Sequence, residues 1–328
     1  LDGKGFSIKN LRITGNSGDA YKFSGLFARV GPNGAVIKNL GLENVEITGG
    51  ATPTGALAGV IFGQNGMDNS GVTIEKVFVT GTVQGVSEVG GIVGRCNNIP
   101  LNKLVNCYAD VTVEATGATN AYAGGLVGCM SSGYGLRIKK SYAAGRVKTI
   151  ADDASNYAGG ILGCLTRVDA PVFTLDSCVV VLDELAGTNK GLFYNYSVTG
   201  DRAKAVIKLN SNYARNDIGF ETTEHGTLAD PDVFFTKDLY QTILEWDFEN
   251  VWTIDEGVSY PVFKSGAPPV GIKKTENNRD WKLYSADRVI RAISSRPLSC
   301  SVYDITGKMH FTGTIENGET SPLALGVY

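Results

Sequence analysis

The chain has 328 residues, a formal net charge of −3 and 43% hydrophobic residues. That length can bury a full core and hold more than one domain. The near-neutral charge lacks the basic stripe that nucleic-acid binding needs, and no run approaches the roughly 18–20 apolar residues of a membrane-spanning helix.

The chain opens on Ile8-Lys-Asn-Leu-Arg-Ile, and this β-branched phrase returns as Ile37-Lys-Asn-Leu-Gly-Leu, Ile74-Glu-Lys-Val-Phe-Val, Leu104-Val-Asn-Cys-Tyr-Ala, Ile138-Lys-Lys-Ser-Tyr-Ala and Leu175-Asp-Ser-Cys-Val-Val. A glycine phrase alternates with it: SGLFA at 24–28, GALAG at 55–59, GGIVG at 90–94, GGLVG at 124–128 and GGILG at 159–163. Its central residues Leu26, Leu57, Ile92, Leu126 and Ile161 are 31, 35, 34 and 35 residues apart. A period in that range marks a stacked repeat, which offers a long surface before it offers an active site. Worn copies at Lys190-Gly-Leu-Phe and Val206 to Ala214 bring residues 1–214 to about six to seven units.

Within a phrase, Ile74, Val77 and Val79 form an inward set, and Lys76, Phe78 and Thr80 an outward set. The offset of three between Ile74 and Val77 predicts a kink or bulge, followed by a strand of period two. Pro32, Pro53, Pro100 and Pro171 all lie between phrases, as expected if the phrases are strands that need their amide donors. One coil per unit predicts an all-β fold, a parallel β-helix of about six to seven coils, right-handed by the usual rule for parallel crossovers. A propeller is the rival, but its blades run about 40–50 residues with four strand signals. Stacking at about 4.8 Å places Leu26, Leu57, Ile92, Leu126 and Ile161 in an inner column, and Phe78, Tyr108 and Tyr142 outside. The paired glycines mark a corner that needs either φ > 0 or close packing.

The cysteines follow the same columns. Cys107 and Cys178 share one with Leu11, Leu40, Val77 and Ser141, while Cys129 and Cys164 each follow a glycine phrase. A cysteine alternating with Leu and Val behaves as a small buried hydrophobe. Cys129 and Cys164 sit on neighbouring units, so they could be bridged if their Cα atoms lie about 5.5 Å apart. No CxxC spacing points to zinc.

Residues 1–227 therefore read as the β-helix. Residues 228–266 concentrate Phe234, Phe235, Tyr240, Trp246, Phe248, Trp252, Tyr260 and Phe263, and are expected to plug the end of its core, since solenoid ends need caps. Residues 267–280 form a Pro- and charge-rich linker, and 281–328 a small β-sandwich.

Chemistry-bearing residues are sparse. His225 and His310 fall in different domains. Asp152-Asp153 and Asp183-Glu184 read as solvated turns. No G-x-S-x-G, H-E-x-x-H or phosphate loop occurs. No catalytic, cofactor-binding or metal residue is assigned. The one candidate ligand-binding stripe is Phe78, Tyr108 and Tyr142. Such a row either stabilises the stack by cross-strand contact or meets a glycan or protein.

The glycine phrases, each followed by phrases such as Lys140-Ser-Tyr-Ala-Ala-Gly-Arg-Val, resemble the GLUG repeat, as do Leu1-Asp-Gly-Lys-Gly-Phe and the closing Val251-Trp-Thr-Ile with Tyr260-Pro-Val-Phe. Cys300-Ser-Val-Tyr-Asp-Ile-Thr-Gly-Lys-Met and Leu323-Ala-Leu-Gly-Val-Tyr are similar to the C-terminal sorting domain of Bacteroidetes secreted proteins, although that family continues with one more strand. These resemblances imply an extracellular or outer-surface adhesin-like protein. It would bind a host or bacterial glycan or surface protein without turnover, and the motif supplies no catalytic residue. The alternative is a carbohydrate-active β-helix enzyme, a lyase or glycosidase, with paired carboxylates or an acidic calcium cluster.

Overall fold

The computed structural model describes residues 1–15, 23–31, 34–62, 71–97, 101–131, 135–166, 172–196, 206–220 and 225–264, and the strands 281–286, 289–294, 298–303, 309–315 and 323–324. They fall into two compact units, Leu1–Lys273 and Lys274–Tyr328. The expected linker at 267–280 lies outside the described residues.

The first unit is a parallel β-solenoid with three faces. A turn runs along a long strand such as Thr73–Gly85, crosses a short second face at Glu88–Gly90, and returns along a third face at Val93–Asn97. Parallel stacking of successive turns builds a 13-stranded, a 5-stranded and a 6-stranded sheet. Five turns have all three faces. The long sheet continues past them at both ends, through Ser7–Lys9 and Arg12–Thr14 on one side and Val206–Asn210 and Tyr213–Arg215 on the other. The six to seven units visible in the sequence are these five turns plus partial turns at the ends.

Register is like on like: Tyr108 opposes Tyr142, Val113 opposes Val147, and Gly124 opposes Gly90 and Gly159. Leu57, Ile92, Leu126 and Ile161 form a fully buried column with Leu26 packed at its edge, and Ile74, Val77 and Val79 face the same core. The predicted kink is a column of left-handed residues, one per turn: Gly5 (φ 83°), Asn39 (53°), Lys76 (51°), Asn106 (51°), Lys140 (50°), Ser177 (54°) and Ser211 (51°). One left-handed residue between Glu75 and Val77 resets the alternation, so Ile74 and Val77 both point inward. Each such non-glycine residue costs about 1–2 kcal/mol, offset by the core contacts it permits.

The glycine corner is a matter of close approach. Gly90 has no positive φ, yet a Cβ there would collide with the Val93 carbonyl oxygen and the Gly128 amide nitrogen. Both obstacles are backbone, which cannot move without opening the stack.

Two expectations are corrected. Ile8 pairs with Leu42 rather than with Ile37, and Arg12 pairs with Glu46. The opening phrase is therefore displaced, because Asp2 already bridges Lys38. Leu11 thus falls outside the cysteine column. The aromatic segment, meanwhile, does not plug an end. Its 3-10 turn Pro231–Phe235, its π turn Leu239–Ile243 and the antiparallel pair Trp252–Thr253 with Val262–Phe263 pack against the outer side of the long sheet, over Phe78, Tyr108, Tyr142, Val179 and Val181. At the opening end, Phe6 is 76% exposed.

The second unit is antiparallel. Trp281–Ala286 pairs with Val289–Ser294, which also pairs with Leu323–Ala324, and Leu298–Tyr303 pairs with Met309–Ile315.

Replacing Gly90 by Ala should lower stability by about 3 kcal/mol, the upper range for overpacking. Chemical denaturation followed by circular dichroism checks this. A loss below about 1 kcal/mol, the middle of the ordinary range for point substitutions, would mean the corner tolerates a side chain.

Candidate functional site

The outward column that includes the aromatic stripe reads Gly41, Phe78, Tyr108, Tyr142, Val179, Tyr213 in register. Rung spacing forces the rings into a stack. Phe78 and Tyr108 lie 5.2 Å apart at 11°, and Tyr108 and Tyr142 4.9 Å apart at 3°. Their faces are not open to a ligand. Phe78 is 4% exposed, and Tyr108 and Tyr142 are fully buried. The chain's own segment occupies them: the Phe263 ring lies 6.1 Å from Phe78 and 5.2 Å from Tyr108, and Trp252 lies 6.0 Å from Tyr108. The stripe is thus the floor of a second hydrophobic core, which is where the ligand-contact reading of Phe78, Tyr108 and Tyr142 ends.

The left-handed column anchors that cover. Trp252 Nε1 donates to Asn106 Oδ1 at 3.4 Å, Trp246 Nε1 to the Ser177 carbonyl at 2.9 Å, and Lys140 Nζ to the Glu245 carbonyl. Tyr142 Oη donates to the Pro261 carbonyl at 2.7 Å. Tyr108 Oη, equally buried, finds no hydrogen-bond partner among the described residues. Burial holds the phenols of Tyr108, Tyr142 and Tyr240 well above the usual tyrosine range, and pushes Tyr260 up to about 12 despite the opposing pull of Arg215.

The stack stops at Gly41, which has no side chain to continue it, and a cleft opens there. It has a volume of about 450 Å³ and is bounded by Phe78 and Phe263 on one side and by Asp2, Asn39, Asn250 and three lysines, Lys4, Lys76 and Lys264, around the rim. Asp2 is the one carboxylate among its lining residues. It accepts from Asn39 Nδ2 and the Lys4 amide, both at 2.9 Å, and pairs with Lys4 Nζ at 3.1 Å. These bonds, the Asn39 one foremost, hold its carboxyl well below the usual range. Lys264 Nζ donates to the Glu249 carbonyl at 2.7 Å. The Lys76 ammonium makes no hydrogen bond among the described residues and acts through space on Asp247.

The acidic pairs weighed in the sequence make local bonds. Asp152 accepts from Thr188, and Asp153 accepts from the Ser155 amide and hydroxyl, closing a turn. Asp183 pairs with Arg215, and Glu184 with Arg146. The His225 ring lies 5.0 Å from Tyr194; His310 lies in the second unit. Cys96, Cys107, Cys129, Cys164 and Cys178 are buried, and Cys129 and Cys164 oppose each other in register. Burial pushes the thiols of Cys107 and Cys178 up to about 12 and raises those of Cys96 and Cys129. Among the described residues no three His, Cys, Asp or Glu side chains could hold a metal, and no helix is long and apolar enough to cross a membrane.

The cleft itself is not legible in the sequence, because its residues come from four distant stretches, 2–5, 39–41, 76–78 and 250–264. The available signals were a glycine in an otherwise bulky column and a lysine at the left-handed position.

No family model matches the chain. A 98-residue stretch, 30% of this chain, is 39% identical to halomucin of Haloquadratum walsbyi and spans 1% of that protein's length. A crystal structure of a candidate immunoglobulin A1 protease from Bacteroides ovatus superposes with a TM-score of 0.64 at 21% identity, over 81% of this chain and 77% of that one. At that identity the likeness is one of fold.

The two tyrosines should respond oppositely to loss of the hydroxyl. Tyr142→Phe strands the Pro261 carbonyl and should cost about 1 kcal/mol, whereas Tyr108→Phe removes an unpaired buried hydroxyl and should be neutral or stabilising by about 1 kcal/mol. Denaturant midpoints of the two variants check the contrast. Alkaline titration gives a second test. Because these phenols are raised in the folded state, the stability they contribute is full below pH ~10 and is lost as pH rises through the folded values. The phenolate absorbance that Tyr108, Tyr142 and Tyr240 contribute should therefore appear in step with unfolding above pH ~10; their ionisation at pH ~10 in folded protein would contradict their burial.

Proposed function

We propose that the chain is a non-enzymatic binding protein of the cell surface or secretome, a GLUG-type solenoid that meets its ligand at the cleft and in the connections between phrases. The observation that carries this reading is the cleft's composition. Its amides, ammonium groups and aromatic edges are recognition groups. Its single carboxylate is held ionised by Asn39 and Lys4. Glycoside hydrolysis needs a second carboxylate about 5–9.5 Å away, which the lining does not supply. The likeness to a candidate immunoglobulin A1 protease and to part of halomucin supports an extracellular location. The second unit acts as a sorting module.

The same neighbour's description favours a second reading, a peptidase. Against it, the thiols of Cys96, Cys107, Cys129 and Cys178 are buried and raised, the opposite of a nucleophile's.

An array of glycans and extracellular-matrix proteins, read beside product release from the same materials, decides between these. Saturable binding with no release of reducing ends or new peptide termini is expected. Release of either overturns the binding reading.

A further inference from the structure

We infer that the cleft at the end of the aromatic stack takes the ring of an acidic sugar, its carboxylate received by Lys76 and Lys264. This rests on the binding reading above and names its ligand class. The volume of about 450 Å³ falls near the small end of the range for ligand pockets, roughly 300–1,000 Å³, and suits one or two sugar rings.

Charge sets the class. Three ammonium groups face one carboxylate, and that carboxylate is already engaged by Asn39 and Lys4. Lys264 uses one donor on the Glu249 carbonyl, and an ammonium has three. Lys76 uses none on hydrogen bonds among the described residues. Asp247, outside the lining, meets Lys76 through space only, so the lining itself keeps an excess of ammonium groups that an anion would match.

Lys76 carries a further sign. It stands in the left-handed column between Asn39 and Asn106, and Asn tolerates that conformation better than Lys does. Lys140, the other lysine of the column, uses its ammonium to hold the cover at Glu245. Lys76 adopts the same left-handed conformation for the core contacts it permits, but its ammonium, unlike that of Lys140, is left without a hydrogen bond among the described residues.

The neutral part of the ligand follows from the rest of the rim. The Phe78 and Phe263 rings meet edge to face at 6.1 Å and both line the cleft, which gives a sugar ring's C–H face an apolar edge to lie against. The amide nitrogens of Asn39 and Asn250 already donate to Asp2 and Asp247, which leaves their oxygens to accept from hydroxyl groups. An acidic peptide would also satisfy the ammonium groups, and the dipeptide arm of the test separates it from a sugar acid.

The test compares methyl β-glucuronide, methyl β-glucoside and an acetylated Asp-Glu dipeptide, titrated into the full chain by ligand-observed NMR. Lys76→Asn is the informative variant, because the column already holds Asn on both sides and the fold should keep its melting temperature. The glucuronide should bind at least about tenfold more tightly than the glucoside, and K76N should erase most of that preference, as loss of a charge-assisted bond implies. Lys264→Gln should do the same in part. Equal binding of the two glycosides, unchanged preference in K76N, tighter binding of the dipeptide, or no binding of the glucuronide at millimolar concentration would each overturn the sugar-acid assignment. Only product release in the array experiment would overturn the binding reading itself, so the two failures are distinguishable.

Discussion

The structure depends on one constraint: each turn of backbone must lie about 4.8 Å above the last in the same register. Parallel strands in register place like on like, so any residue that suits one turn is repeated in the next. This makes glycine obligatory at Gly90 and its register partners Gly55 and Gly124, where the next backbone approaches too closely for a Cβ. It also makes a left-handed residue recur seven times in one column, from Gly5 to Ser211. A single turn could not sustain either cost. Neighbouring turns supply the hydrogen bonds and apolar contacts that do, which is why repeat arrays gain stability from their interfaces.

The same rule generates the second core. A large ring on the outer face at Phe78 is repeated as Tyr108 and Tyr142, and three stacked rings form an apolar strip too wide to leave in water. The chain covers it with residues 231–263, whose own rings interleave at 4.6–4.8 Å, as in Trp246 with Trp252 and Tyr240 with Trp246. Anchoring falls to the left-handed column beside the strip. A left-handed residue turns its backbone and side chain away from the ladder, so Asn106, Lys140 and the Ser177 carbonyl are free to meet Trp252, Glu245 and Trp246. A feature that exists to reset the strand's alternation thus also fastens the cover.

Periodic features were readable from the sequence, and unique ones were not. Leu57, Ile92, Leu126 and Ile161 declared an inner column because each repeats the last. The offset between Ile74 and Val77 declared a kink for the same reason. The cysteine columns read correctly as buried hydrophobes. By contrast, Ile8-Lys-Asn-Leu matched its neighbour by eye and still paired elsewhere, because Asp2 and Lys38 set the first register before the phrase begins. The cover's aromatic content was plain, but its docking place was not. Composition says that Trp246 and Trp252 must be buried, while a solenoid's end and a stripe on its side are equally apolar destinations. The cleft was least readable, since Asp2, Lys76 and Lys264 share neither a phrase nor a period.

The break in the pattern is where specific recognition can arise. A perfect column offers every turn the same chemistry and therefore distinguishes no position along the rod. At Gly41 the ring column loses its side chain, and a Cβ there would run into the Phe78 ring. The ring at Phe78 can lean over the gap only because the next residue is glycine. The cover ends at the same level, bringing Asn250, Phe263 and Lys264 to meet Asp2 and Asn39 from the first turns. Two terminations coincide, the end of the stack and the edge of its cover, and together they leave a concave, partly apolar space lined by three lysines. In a repeat scaffold the repeat supplies rigidity, and recognition falls to the place where the repeat fails.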